Sequence, residues 1–448
     1  MQMRPFVFTV LCIMKCKSPG GRQTVSHLTF HPKLLTVIRE GYSAQHLKAD
    51  LQAGLTVAIV ALPLSMAIAI ASHAKPEAGL FTAIIGGFLI SALGGSRFQI
   101  GGPAGAFIVL VSSIIDRQGM DGLLLATMMA GVFIMLAGFC RLGKLIEHVP
   151  HAVIVGFSAG IAVIIFSSQI HDLFGLTLSG AEPGELLPKL ETLYAARSSI
   201  NGEAVLLSIF AIALIVAQRT WLPKFPSLLF TVIICAVLAW LARLNVETIG
   251  TRFGGVPSGL PFPHIPQFDA AKLKALLPDA ASLAVLGSIE SLLSAVVADQ
   301  MAGRKHRSNT ELVAQGLANI GSALFGGLTA TGTIARTATN VKAGAHGPLS
   351  GIFHAGFLLL FMLVAAPLMS YIPLAALAGI LTIVSWNMVE KQSVYHIFRT
   401  NWSGAIVLLA TFLLTIFRDL ITGIAVGLAL HFAFAFALSH LKKAEDIR

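Results

Sequence analysis

From Leu51 onward, apolar stretches of 15 to 22 residues follow one another with only short polar turns between them. A bilayer core takes about 20 helical residues to cross, and every backbone group inside it has to be paired within the chain. A series of this kind points to a bundle of spanning helices. The charge content agrees, because 12% of the residues are charged against about 25% in a soluble domain. The 28 Phe, 42 Gly and 19 Pro are spread along the chain, so low complexity is not the cause. A mean hydropathy of +0.81 excludes disorder, disulfide scaffolds and soluble enzymes.

Fourteen spans are expected, near 51–71, 78–95, 103–115, 122–140, 151–171, 202–218 and 226–243, then near 279–300, 311–326, 333–342, 350–369, 373–389, 402–417 and 420–440. Two of them, 103–115 and 333–342, are too short to cross alone. The even count puts both termini on one side and makes the loops alternate. Sorting Lys and Arg by loop places twenty-one on the terminal side and nine opposite. The positive-inside rule therefore expects both termini in the cytoplasm of a multi-pass cell (inner) membrane protein. The formal charge of +10 is largely this asymmetry, and the short Gly303–Arg307 turn is no nucleic-acid footprint. The expected divisions are a cytoplasmic tail (1–50), a first seven-span repeat (51–243), an external linker (244–278), a second repeat (279–440) and a cytoplasmic tail (441–448). The first thirty residues read as a loose or misassigned start, since Phe6 to Met14 is too short to span and no cleavage site follows. Cys12, Cys16, Cys140 and Cys235 form no framework, no His pair has metal spacing, and neither metal nor cofactor is implied.

The halves repeat. Leu62–Ala67 in the first span corresponds to Ser288–Leu293 in the eighth. Gly94-Gly95 closes the second span and Gly326-Gly327 the ninth, and each pair leads into a polar, Gly-containing stretch that opens a short span. These stretches are Gln99–Phe107 and Thr329–Thr337. Seven spans separate the copies, so the second is inverted in the membrane. Interrupted short segments in inverted halves point to a transporter binding site. A half-helix that begins at mid-membrane leaves its first four N–H groups unpaired, with about half a positive charge at that end. Two such ends facing each other make an anion site. Pro103 suits a first turn because its missing N–H costs nothing there. Gly102, Gly105 and Gly332 allow close approach of a ligand; the bland alternative is that they only let helices pack.

At these residues the sequence resembles the SulP family of anion transporters, the sulfate permease-like proteins. Ala61–Ala69 looks like its first-span motif, Gly101–Ala106 its third-span motif, Leu286–Asp299 with Ser308–Asn319 its most specific stretch, and Ala330–Asn340 its tenth-span motif. The resemblance covers about residues 35 to 440. It implies an all-α fold of seven plus seven inverted spans with two half-helices. Spans 1–4 and 8–11 would form a core, and spans 5–7 and 12–14 a gate. Substrate would sit between the N-termini of the third and tenth spans, close to the first and eighth. On this pattern Ser65, Gly102, Pro103, Ala104, Gly105, Gly332, Thr333, Ala335, Arg336 and Thr337 surround the anion. Most relatives continue into a cytoplasmic STAS domain, whereas this sequence stops at Arg448. The family often forms dimers, which makes a second copy an expected partner besides the bilayer, the anion and a coupling ion, proton or sodium.

Two buried charges stand out. Glu290 lies in the middle of the eighth span, where an ionised carboxylate is costly and an acid is a functional candidate. The resemblance implies a coupling role for it, loading and releasing a proton; the alternative is a protonated group bonded to nearby backbone. Arg336, about four residues into the tenth span, is the one basic residue that falls in no loop. It supplies a permanent forked donor beside the anion pocket, or else a structural partner for Glu290 or for carbonyls. The hydroxyls of Ser65, Thr331, Thr333 and Thr337 line the site or back-bond to their own helices. Asp299 and Glu311 read as solvated or capping groups, and His354 and His431 as packed core residues. The expected activity is secondary active transport of sulfate, bicarbonate, chloride or a dicarboxylate by alternating access, not enzymatic catalysis. Alternatives are a nucleobase–proton symporter of the same fold, an anion channel, or a membrane scaffold.

Overall fold

The computed structural model describes residues 30–143, 150–178, 180, 182–183, 186–222, 226–267, 270–418 and 420–445. The opening apolar run, Cys12 and Cys16 lie outside them, as do Lys144 and Lys224. The described chain is almost wholly helical. Its elements are α1 (Lys33–Arg39), α2 (Ala44–Ala71), α3 (Pro76–Leu93), β1 (Gly101–Gly102), α4 (Gly105–Phe139), α5 (His151–Phe174), α6 (Leu186–Ala195), α7 (Gly202–Trp221), α8 (Ser227–Leu241) and α9 (Ile249–Phe253). There follow α10 (Ala270–Ala302), α11 (Ser308–Leu324), β2 (Thr331–Gly332), α12 (Ile334–Lys342), α13 (Leu349–Met369), α14 (Leu374–Met388), α15 (Lys391–Thr400), α16 (Trp402–Phe417) and α17 (Leu420–Glu445). Eight segments, α2, α3, α4, α5, α7, α10, α13 and 374–400, are long and apolar enough to cross a membrane. Shorter apolar helices are α8, α16 and Thr422–Ala437 within α17.

Local chemistry explains the boundaries. Ser43 caps α2 by accepting from the N–H of His46, so the helix starts ahead of the apolar run that predicted it at 51. Asn201 and Asn401 cap α7 and α16 in the same way. The expected third and fourth spans run on as α4 and break at Gly119, whose φ of 70° no ordinary helical residue adopts. Helices α1, α6, α9 and α15 lie outside the expected spans. α6 lies in an external loop of the sequence reading, and α15 is an amphipathic segment too polar to read as a span.

The helices pack as two groups. In one, α4 lies between α10 and α11 while α2 lies along α13. There α4 and α11 come so close that a Cβ on Gly131 would fall 2.7 Å from the Gly316 carbonyl oxygen, the small-residue packing usual between membrane helices. In the other, α5 packs against α14 and α16, α7 against α8 and α14, and α16 against α17. This is the division the resemblance implies for core and gate. The groups meet where α2 touches α8 and α14, and where the first turn of α4 touches α5.

One end of the first group is tied by polar contacts. Arg97 pairs with Glu40, and that hydrogen bond holds the Glu40 carboxyl below its ordinary value. Lys33 donates to the Lys305 carbonyl at 2.8 Å, and Arg307 to the His31 carbonyl at 2.9 Å. Buried Asp50 accepts from the N–H groups of His346 (2.6 Å) and Gly347 (2.9 Å) and from the Tyr42 hydroxyl (2.5 Å). Burial and then this bond push the Tyr42 phenol above its usual value, so it stays a donor. Of the two expectations for Glu311, solvated or capping, solvation fails. The carboxylate is fully buried and accepts from the N–H groups of Gly95 (2.8 Å) and Ser96 (3.0 Å), joining α11 to the turn after α3. Asp299 does act locally, accepting from the N–H of His306 at 2.8 Å.

Candidate functional site

The two interrupted segments meet. β1 pairs antiparallel with β2, with Gly101 opposite Gly332 and Gly102 opposite Thr331, and a helix leaves each strand in the opposite sense. Extended backbone at this depth survives because side chains of neighbouring helices take up its polar groups. Asn319 of α11 donates to the Ala330 carbonyl (2.8 Å) and accepts from the Ala330 N–H (2.9 Å). Thr82 receives the Leu328 N–H at 2.6 Å from within a π-helical turn of α3. On the other segment, Asn340 donates to the Phe98 carbonyl (2.9 Å), and Thr337 accepts from the Ile100 N–H (3.1 Å).

The helix starts are left open. Ala104 precedes the first turn of α4 and Thr333 precedes α12, and neither side chain caps the helix it leads into. The N–H groups of both first turns therefore keep their partial positive charge available. Ala104 and Thr333 are buried, whereas Ala335 and Ile334 are exposed, giving the seam one open side. Gly105 faces the second group, where an added Cβ would lie 2.9 Å from Ile165 Cδ1 and 3.8 Å from Met388 Sδ.

Arg336 lies within this seam at 1% exposure. Its Nη2 donates to Ser65 Oγ (3.2 Å) and to the Pro103 carbonyl (3.3 Å), which brings α2, α4 and α12 to one point. Its Nε and Nη1 are buried without a partner among the described residues. No ion pair of Arg336 with an acid occurs among the described residues, so it is not held there by Glu290. A cation of fixed charge with two open donors is what an anion site needs. Gly102 makes the room, because a Cβ there would collide with the Arg336 guanidinium. A Gly102→Ala protein should therefore bind its anion about tenfold or more weakly, at a cost of about 1–3 kcal/mol for overpacking. Isothermal titration of the purified protein would measure this, and unchanged affinity would remove Gly102 from the site.

α10 backs the seam. Ser291 Oγ lies 2.7 Å from Thr331 Oγ1 and 3.3 Å from the Gly332 nitrogen, and Ser294 donates to Thr337 at 3.1 Å. Thr331 and Thr337 thus bond across to other elements instead of back to their own helices. Thr333 Oγ1 reaches the Ile100 carbonyl at 3.4 Å. Glu290, next to Ser291 on α10, has a buried Oε2 with no partner, and no backbone bond holds it, among the described residues. Gln99 is a residue of the seam that sequence reasoning misses. Its Nε2 donates to the Ser291 carbonyl at 3.0 Å, its Oε1 is buried without a partner, and a Cβ on Gly332 would collide with it. Its signal in the sequence is a large amide just before Gly-Gly-Pro inside an apolar region. His354 is fully buried, as expected of a packed histidine, while His431 is only half-buried.

The sequence profile of the sulfate permease family matches residues 47–411. YvdB of Bacillus subtilis (strain 168), provisionally named a sulfate transporter, is 44% identical over 410 residues, covering 91% of this chain and 77% of its own length. The bicarbonate transporter BicA of Picosynechococcus sp. is 32% identical over 393 residues, 86% of this chain and 69% of that protein. The solved transmembrane domain of a cyanobacterium BicA superposes with a TM-score of 0.77 at 33% identity, covering 85% of this chain and 98% of that one. Murine Solute Carrier 26 family member A9, an anion transporter solved in the inward-facing state, shares the fold with a TM-score of 0.82 at 17% identity, over 96% of this chain and 75% of that one. A match over most of the chain, with the same helical arrangement, makes this protein a multi-pass membrane member of the sulfate permease family.

Proposed function

We propose that the chain is a secondary active transporter of small anions, binding them at the seam between the starts of α4 and α12 and moving them as one helical group shifts against the other. The observation that carries this reading is Arg336, a buried cation with two unpartnered donors between two uncapped helix starts. Backbone N–H groups and a guanidinium select negative charge and oxygen acceptors. Among relatives, BicA is a bicarbonate transporter and YvdB is provisionally named for sulfate, and both ions are oxyanions. Ser65, Gly102, Pro103, Ala104, Gly105, Gly332, Thr333, Ala335, Arg336 and Thr337 would surround the ion, with Glu290 carrying the coupling proton. On the charge count, both termini face the cytoplasm.

Uptake of labelled sulfate, bicarbonate, chloride and a dicarboxylate into proteoliposomes, with and without a pH gradient, tests this directly. The expected result is saturable uptake of at least one anion, accelerated by unlabelled anion inside. Uptake that neither saturates nor responds to internal anion would identify a channel. A protein with no anion uptake and no anion-dependent thermal shift would overturn the proposal.

A further inference from the structure

Away from the seam, the second helical group forms a half-open cavity of about 500 Å³ where α5 and α16 begin and α15 ends. Three imidazoles line it, those of His151, His396 and His431, and no acidic side chain is among the described lining residues. Two helix starts converge there: Pro150 leads into α5, and Asn401 into α16. Asn401 Oδ1 is occupied, accepting from the Gly404 N–H at 2.9 Å and the Ser403 hydroxyl at 2.8 Å. Imidazoles donate N–H whether neutral or charged, and helix starts add positive potential. A chamber of donors without a carboxylate selects an anion.

The remaining wall selects an amphiphile. Val407 and Phe434 make it apolar, and Trp402 packs edge-on against Phe434 with ring centres 5.4 Å apart while remaining 66% exposed. α15 carries the pattern of a helix lying at a membrane surface. Lys391 sits 3.8 Å over the Trp386 ring and Arg399 4.7 Å over Tyr395, and both aromatic rings are exposed. Aromatic rings and basic side chains of this kind concentrate at the headgroup level, where acidic lipids gather on the cytoplasmic leaflet.

We propose that this cavity holds the phosphate headgroup of an acidic phospholipid, with the phosphate among the three histidines and an acyl chain along Val407 and Phe434. The site is separate from the anion seam and stands without the transport reading. A lipid seated there touches α5, α15, α16 and α17 at once, so its occupancy braces the second helical group against itself.

The test uses the full chain in nanodiscs of phosphatidylcholine with or without phosphatidylglycerol, followed by native mass spectrometry and thermal unfolding. The parent should retain phosphatidylglycerol and unfold at a higher temperature with it, while inorganic phosphate alone gives no such shift. His396→Gln with His431→Gln should lower retention at least about tenfold, the loss expected for charge-assisted hydrogen bonds. His396→Lys, which places an ammonium donor there, should retain most of it and guards against a double variant that fails to fold. Equal retention by the double variant, or loss in His396→Lys, would overturn the proposal. Stabilisation by inorganic phosphate equal to that by phosphatidylglycerol would overturn the lipid as its occupant.

Discussion

Arg336→Ala should weaken anion binding about a hundredfold or more, since two charge-assisted donors contribute about 3 kcal/mol or more together. The same substitution should leave the anion-free protein at least as stable as the parent. A buried cation with no acid partner among the described residues is a cost to the fold. The two measurements separate a ligand group from a structural one. If Arg336 served mainly to bind carbonyls and brace α2 against α12, melting would fall and affinity would follow it. Arg336→Lys keeps the charge but loses the planar fork, so an intermediate affinity is expected. Equilibrium titration of the purified protein, together with its unfolding temperature, gives both readouts, and an alanine variant with normal affinity refutes direct coordination.

The second large effect concerns Glu290. A gradient of one pH unit stores about 1.4 kcal/mol per proton, enough for tenfold accumulation of a co-transported anion. Glu290→Gln has nearly the same shape but cannot carry a proton, so accumulation driven by the gradient should fall to the equilibrium level. Exchange of internal for external anion should persist, because the seam donors remain in place. The unpartnered Oε2 makes this substitution mild for the fold, as no hydrogen bond is lost there. Proteoliposomes loaded at two pH values distinguish the outcomes, and undiminished gradient-driven uptake by the variant would end the coupling role.

Much of this architecture was readable from residue order. Apolar length located the spans, and the gap expected between 115 and 122 is where Gly119 breaks α4. The Gly-Gly pairs announced the irregular segments because regular helices have little use for them. What the sequence could not announce was the partnering of those segments. The strand pair joins distant halves of the chain, the bond from the Ile100 N–H to Thr337 joins positions 237 apart, and nothing local marks such a contact. For the same reason nothing in the sequence sets Thr82, Asn319 and Ser291 apart from other polar residues on membrane helices. Only the packed structure shows that Thr82 and Asn319 hold the backbone leading into β2 and that Ser291 holds β2 itself. Glu311 was misjudged because a carboxylate near a basic turn looks solvated, whereas two backbone N–H groups bury it. α15 escaped because a short amphipathic helix at a surface has neither the length nor the hydropathy of a span.

The pairing of β1 with β2 also bears on how the protein is born. Each strand belongs to a different half of the chain, so when the first half enters the bilayer its partner has not yet been synthesised. Until α10, α11 and α12 arrive, the Phe98 carbonyl waits in a low-dielectric setting without Asn340 to donate to it, and the Ile100 N–H without Thr337 to accept from it. The first half can bury its lipid-facing helices early, yet its most polar stretch has to be sheltered by water, by an insertase or by loose packing. Assembly of the seam accordingly waits for the second half of the chain, and errors there would leave a membrane protein with every early helix in place and no site at all.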